Sequence, residues 1–157
     1  MRKMRRFKQA LDRRICEEIL RKAPRGVLAV AGDDGYPYAV PLNFYFDPEA
    51  ETIYFHGAHE GHKIDAVKRE PKVSFCVTDG GTLDESGDFY YVNSIIAFGQ
   101  MHVVEDPEQS IAITREIGLK YYPDAESAEQ EVEKAGARAL CLGLKIDTMT
   151  GKRVHEK

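Results

Sequence analysis

Gly26-Val-Leu-Ala-Val-Ala-Gly-Asp-Asp-Gly-Tyr-Pro-Tyr-Ala-Val-Pro-Leu-Asn-Phe-Tyr-Phe46 decides the fold class. Its first six residues form a short apolar run of strand type, and Gly32-Asp-Asp-Gly35 closes that run as a hairpin turn. The second arm alternates, with Tyr36, Tyr38, Val40, Leu42, Phe44 and Phe46 on one face, which predicts one strand from Tyr36 to Phe46. Pro37 and Pro41 cannot donate to a ladder, so this strand belongs at a sheet edge or carries a bulge.

Further strands are predicted over Thr52–His56, Lys72–Thr78 and Ala139–Ile146 from their alternation, with a long strand over Phe89–Val104. Gly99 marks a bulge or bend in the long one. Leu11, Ile15 and Ile19 make an apolar stripe on a helix that Pro24 ends. Ile64–Arg69 reads as a short helix, and Asp106-Pro-Glu108 caps another that runs to Pro123. Ala125–Ala135 is an acidic surface helix. Six strands linked mainly by hairpins, with about four helices, predict a mainly β, α+β antiparallel barrel rather than a doubly wound sheet.

A chain of 157 residues suits a single domain, residues 1–157, with a basic tail over 1–10 and a C-terminal tail over 153–157. Folding reduces its surface from roughly 25,700 to about 7,900 Å², enough for a core without disulfides. No apolar run approaches the ~20 residues of a membrane helix, and the basic N-terminus lacks the apolar block of a signal peptide. The expectation is a cytoplasmic protein without membrane contact. Residues 1–25 carry a net charge of +7 against −11 for the rest. The acidic body repels polyanions, and no nucleic-acid motif accompanies the basic head, so no nucleic-acid partner is expected. Cys16, Cys76 and Cys141 are far apart in apolar stretches, and all three read as reduced core cysteines.

The chemistry concentrates in His56-Gly-Ala-His-Glu-Gly-His-Lys63. Open amides at a helix start beside a lysine make an anion site suited to phosphate, although a glycine loop that only turns the chain would look the same. Neither a Walker A pattern nor G-x-G-x-x-G is present. His56, His59 and His62 form H-x-x-H-x-x-H, a spacing that does not match the i, i+4 pairs of helical zinc sites, and no metal is expected. Asn43, between apolar strand positions, needs a hydrogen-bond partner in the protein or in a ligand.

Tyr36-Pro-Tyr-Ala-Val-Pro-Leu-Asn-Phe44, Ile53-Tyr-Phe-His-Gly-Ala-His-Glu-Gly-His-Lys63, Pro71–Val77, Tyr91–Gly99 and Asp147–Lys152 together resemble the FMN-binding split-barrel proteins. Within these, the chain most resembles the nitroimidazole-resistance reductase branch related to pyridoxamine 5′-phosphate oxidase. The resemblance implies a six-stranded antiparallel split β-barrel with flanking helices, and a homodimer with FMN in a groove between the subunits. It implies that Val40, Pro41, Leu42 and Asn43 line the isoalloxazine edge. It places His56, Gly57 and Ala58 along the ribityl chain and ring, and Gly61, His62 and Lys63 at the phosphate. Asn93 and Ser94 match the segment that reaches the cofactor from the second strand system, and His56 falls at the branch's active-site histidine. Arg153-Val-His155 stands where the family commonly has an aromatic residue.

The implied function is an FMN-dependent oxidoreductase that reduces a small electron-poor substrate, such as a nitroaromatic, with NAD(P)H as electron donor. A non-catalytic flavin carrier or sensor, or a haem-binding split barrel with a histidine ligand, are the alternatives.

Overall fold

The computed structural model describes residues 3–135 and 140–156, and among them nine strands form one antiparallel sheet. They are β1 (Ala10–Leu11), β2 (Gly26–Ala31), β3 (Pro37–Leu42), β4 (Tyr45–Asp47), β5 (Thr52–Gly57), β6 (Lys72–Thr78), β7 (Thr82–Leu83), β8 (Tyr90–Val103) and β9 (Leu140–Glu156). Four α-helices flank them: α1 (Arg13–Lys22), α2 (His62–Arg69), α3 (Pro107–Tyr121) and α4 (Ala125–Ala135). The lateral order is β3-β2-β6-β8-β9-β5-β4, with β1 against β9 and β7 against β8. This is the expected α+β split barrel. The six expected strands become nine because β1 and β7 are two-residue pairings and the strand expected over Tyr36–Phe46 is broken in two.

That break has a local cause. Phe44 is fully buried, and its amide and carbonyl both bond to the Tyr121 hydroxyl, at 2.9 and 3.1 Å, instead of to a neighbouring strand. β3 pairs with β2 alone and ends the sheet, which is where Pro37 and Pro41 are tolerated. The hairpin turn at 32–35 forms as expected, with Asp34 and Gly35 at positive φ and the Gly32 amide bonded to the Tyr36 carbonyl at 2.9 Å.

Gly99 sits at the register shift between β8 and β9. Phe98 faces Thr148 and Gly99 faces Ile146, so Asp147 is the extra residue of a bulge on β9. A Cβ on Gly99 would lie 1.9 Å from the Lys145 carbonyl oxygen, which excludes any side chain there. β9 extends well past the expected end at Ile146. Residues 153–156, read from sequence as a tail, pair with β8 in the register Asn93 to Arg153 and Tyr91 to His155. Ala139, the expected first residue of this strand, lies outside the described residues.

The core is built around Phe75, whose ring meets Phe44 at 5.0 Å and Phe55 at 5.1 Å, both edge-to-face. Asp12 caps α1 through the Ile15 amide. The helix buries Cys16 and Leu20, one position round from the expected Leu11–Ile15–Ile19 stripe, which is only half-buried. Cys16 and Cys141 are buried as expected, but Cys76 is exposed. Strand parity turns it outward between the buried Phe75 and Val77.

Candidate functional site

Two neighbouring features are assembled around the end of β5. The first is the N-terminus of α2. Gly61 caps this helix at φ +118, a conformation that side chains rarely adopt, and its carbonyl accepts from the Ile64 and Asp65 amides. The amides of His62 and Lys63 stand in the first turn, where no helical carbonyl precedes them. The Lys63 ammonium folds back over Gly57, with Nζ 3.2 Å from the point a Cβ would occupy. Lys63 is half-buried and forms no ion pair among the described residues, and burial pushes its pKa below the usual lysine value. A partly desolvated ammonium without an ion-pair partner, on a helix whose first amides have no helical acceptor, is an arrangement that can hold an anion.

His62 is engaged elsewhere. Its ring stacks on Tyr38 of β3 at 4.2 Å, and its Nε2 lies 3.5 Å from Asp33. Arg69 donates to the same aspartate at 3.1 Å, and to the Ala31 and Gly32 carbonyls. Both ends of α2 are thus tied to the β2–β3 hairpin. Among the described residues no group of three potential metal ligands gathers.

The second feature is a cavity of about 410 Å³ whose polar lining is Arg25, Asn43, His56, Thr114, Tyr121, Tyr122 and Glu131. The partner that Asn43 requires is Arg25, which donates from Nε at 3.1 Å. His56 is the penultimate residue of β5, at the mouth of the cavity and exposed on one side. Partial burial and the nearby Lys63 ammonium hold its pKa below the usual imidazole range, while Glu131 works in the opposite sense. The helical hairpin α3–α4 roofs the cavity. Gly118 brings the helices together, since a Cβ there would stand 3.0 Å from that of Ala128, and Arg115 clasps Glu129 through two bonds of 2.8 and 2.9 Å.

The residues expected from sequence therefore separate. Asn43 and His56 share the cavity, and Gly57, Gly61 and Lys63 shape the cradle beside it, with Ala58 exposed in the turn between. Val40 and Leu42 pack half-buried against the core, while Pro41 faces outward. Asn93 and Ser94 lie apart from both. The Asn93 side chain is held by Asp79 and by Arg153 Nε at 2.8 Å, in a separate cavity that also touches Ala23 and Pro24. Ser94 borders a third hollow with Ile96 and Lys152. Arg25, Tyr121, Tyr122 and Glu131 carried no sequence signal beyond a pair of tyrosines before Pro123 and an acidic helix.

The pyridoxamine 5′-phosphate oxidase family model matches residues 12–153. No curated protein matches the chain in sequence. Among solved structures, a proposed 5-nitroimidazole antibiotic resistance protein from Bacteroides thetaiotaomicron superposes with a TM-score of 0.76 at 23% identity, covering 93% of this chain and 87% of that one. An FAD-binding protein from Mesorhizobium loti gives 0.65 at 21% identity, covering 92% and 96%. An FAD and heme binding protein from Mycobacterium smegmatis gives 0.68 at 19% identity, covering 92% and 72%.

Proposed function

The chain belongs to the pyridoxamine 5′-phosphate oxidase family, and from that premise we propose that it is an FMN-dependent oxidoreductase reducing a small electron-poor substrate, as a nitroimidazole reductase would. The observation that carries this reading is the cradle at Lys63. An unpaired, half-buried ammonium over a glycine, beside two free helix amides, fits a terminal phosphate. Bound there, FMN would supply the hydride or electron chemistry, with NAD(P)H as the source of reducing equivalents.

The chain's own residues would do the rest. Lys63 and the amides of His62 and Lys63 hold the phosphate. Asn43, fixed by Arg25, would meet the ring edge together with Val40, Pro41 and Leu42, as the family resemblance implies. His56 stands between the cradle and the cavity, where its imidazole can hold or deliver a proton at the substrate.

We extend the proposal to a two-fold homodimer. One chain exposes 9954 Å², roughly 2,000 Å² more than a compact monomer of this mass. Val27, Ile96 and Phe98 are exposed on one face of the sheet, with Cys76 and Ser74 in register between them. Asn93 and Ser94 lie away from the cavity of their own chain, so a role for them at the flavin would fall in the partner's site.

Titration with FMN and riboflavin tests the cofactor. FMN is expected to bind much more tightly, and Lys63→Ala to cost about 1.5–3 kcal/mol for FMN and little for riboflavin. Equal affinity for the two would overturn the assignment. An absorption spectrum of the purified protein separates flavin from haem, and turnover with NAD(P)H and a nitroaromatic separates an enzyme from a flavin carrier.

A further inference from the structure

The cavity beside His56 holds two opposite charges that do not meet. Arg25 enters from the start of β2 and Glu131 from α4, and neither forms an ion pair within 4 Å among the described residues. Arg25 is not free to swing. Asn43 Oδ1 holds its Nε at 3.1 Å, which leaves the two terminal nitrogens of the planar fork for a pair of oxygens. The wall beside it is rigid for a second reason, because the Tyr121 hydroxyl is consumed by both backbone groups of Phe44. Tyr122 lies next to Glu131, and Ile117 and Gly118 supply an apolar floor. At about 410 Å³ the space is at the small end of ligand cavities, suited to one ring with short substituents.

We propose that this cavity binds a compact planar ligand with a carboxylate at one end and a cationic nitrogen at the other, the carboxylate taken by the Arg25 fork and the nitrogen by Glu131. A ligand with both signs can pair each charge, whereas a ligand of one sign pairs only one, and with Arg25 exposed and Glu131 half-buried each pairing adds modestly. The proposal rests on the preceding functional reading only in naming this ligand as the second reactant. The binding itself requires no flavin.

Calorimetric titration of the full chain at pH 7 tests it with three probes: 4-(aminomethyl)benzoate, benzoate and benzylamine. The zwitterion is expected to bind at least about tenfold more tightly than either single-charge probe. Arg25→Gln should reduce its affinity to that of benzylamine, and Glu131→Gln to that of benzoate. Equal affinities, no binding of the zwitterion, or a preference that survives both substitutions would overturn the proposal. Repeating the titration with saturating FMN separates the two readings. Unchanged zwitterion binding supports a distinct site, and competition by FMN would overturn it by making the cavity the flavin's own seat. Failure to take up FMN would remove the proposed function and leave the binding result standing.

Discussion

The Tyr121 hydroxyl accepts the Phe44 amide proton at 2.9 Å and donates to the Phe44 carbonyl at 3.1 Å, so one side chain of α3 satisfies both backbone groups of a buried residue. Removing that oxygen leaves two backbone groups unpaired next to Asn43. Tyr121→Phe is expected to lower the unfolding free energy by about 1–3 kcal/mol, read from urea denaturation. An unchanged midpoint would mean that water replaces the hydroxyl.

His56 combines a lowered pKa with a nearby carboxylate. If it delivers a proton, turnover falls as pH rises through that pKa, below 6.5, because the neutral form then prevails. Glu131→Gln removes the influence that supports the imidazolium, and the pH–rate midpoint should move further down. His56→Ala is expected to slow reduction roughly 10²-fold while leaving FMN affinity within about tenfold. Loss of flavin in this variant would make His56 a cofactor ligand instead.

Lys120 stands 3.7 Å from the centre of the Phe44 ring and donates to the Leu20 carbonyl at 3.2 Å, and burial pushes it down to about 8. Between about 8 and 10.5 the unfolded chain binds more protons at this lysine than the folded one, so this lysine's contribution to stability rises with pH across that window. Relative to Lys120→Met, the wild type is expected to gain on the order of 1–2 kcal/mol from pH 8 to 9.5, while the buried Cys16 and Cys141 thiols, whose pKa values burial raises, act in the opposite sense in both proteins. Lys63, whose pKa is also lowered, acts in the same sense as Lys120 in both proteins. Parallel pH profiles for the wild type and Lys120→Met would contradict the burial of the ammonium.

Ile96 and Phe98 are 40% and 36% exposed on the outer sheet face, so charging them does not touch the core. The double substitution Ile96→Asp with Phe98→Asp is expected to convert a dimer into single chains that keep their far-ultraviolet spectrum, as read by light scattering. A wild-type protein that already scatters as one chain at micromolar concentration removes the dimer.

Local physics made half of this fold legible. The turn at Gly32–Gly35, the edge position of a proline-bearing strand and the glycine-started helix at His62 each follow from a few adjacent residues. The remainder depends on long-range contacts. Nothing near Asn43 shows that Tyr121, far along the chain, interrupts its strand, and nothing in an acidic helix shows that Glu131 faces His56. The polar run from Asp147 to Glu156 lacks a clean alternation, and its strand character comes from the long β8 beside it. Cys76 was hidden by its apolar neighbours, which point the other way.

β9 has a consequence for how the chain comes into being. It lies between β8 and β5, so β4 and β5 join the rest of the sheet through it alone among the described residues. During synthesis the two parts of the sheet emerge early and wait, with their facing edges open, until residues 140–156 leave the ribosome. A stop codon or a proteolytic cut just before Leu140 is therefore expected to leave two unjoined sheets with open edges rather than a slightly shortened protein.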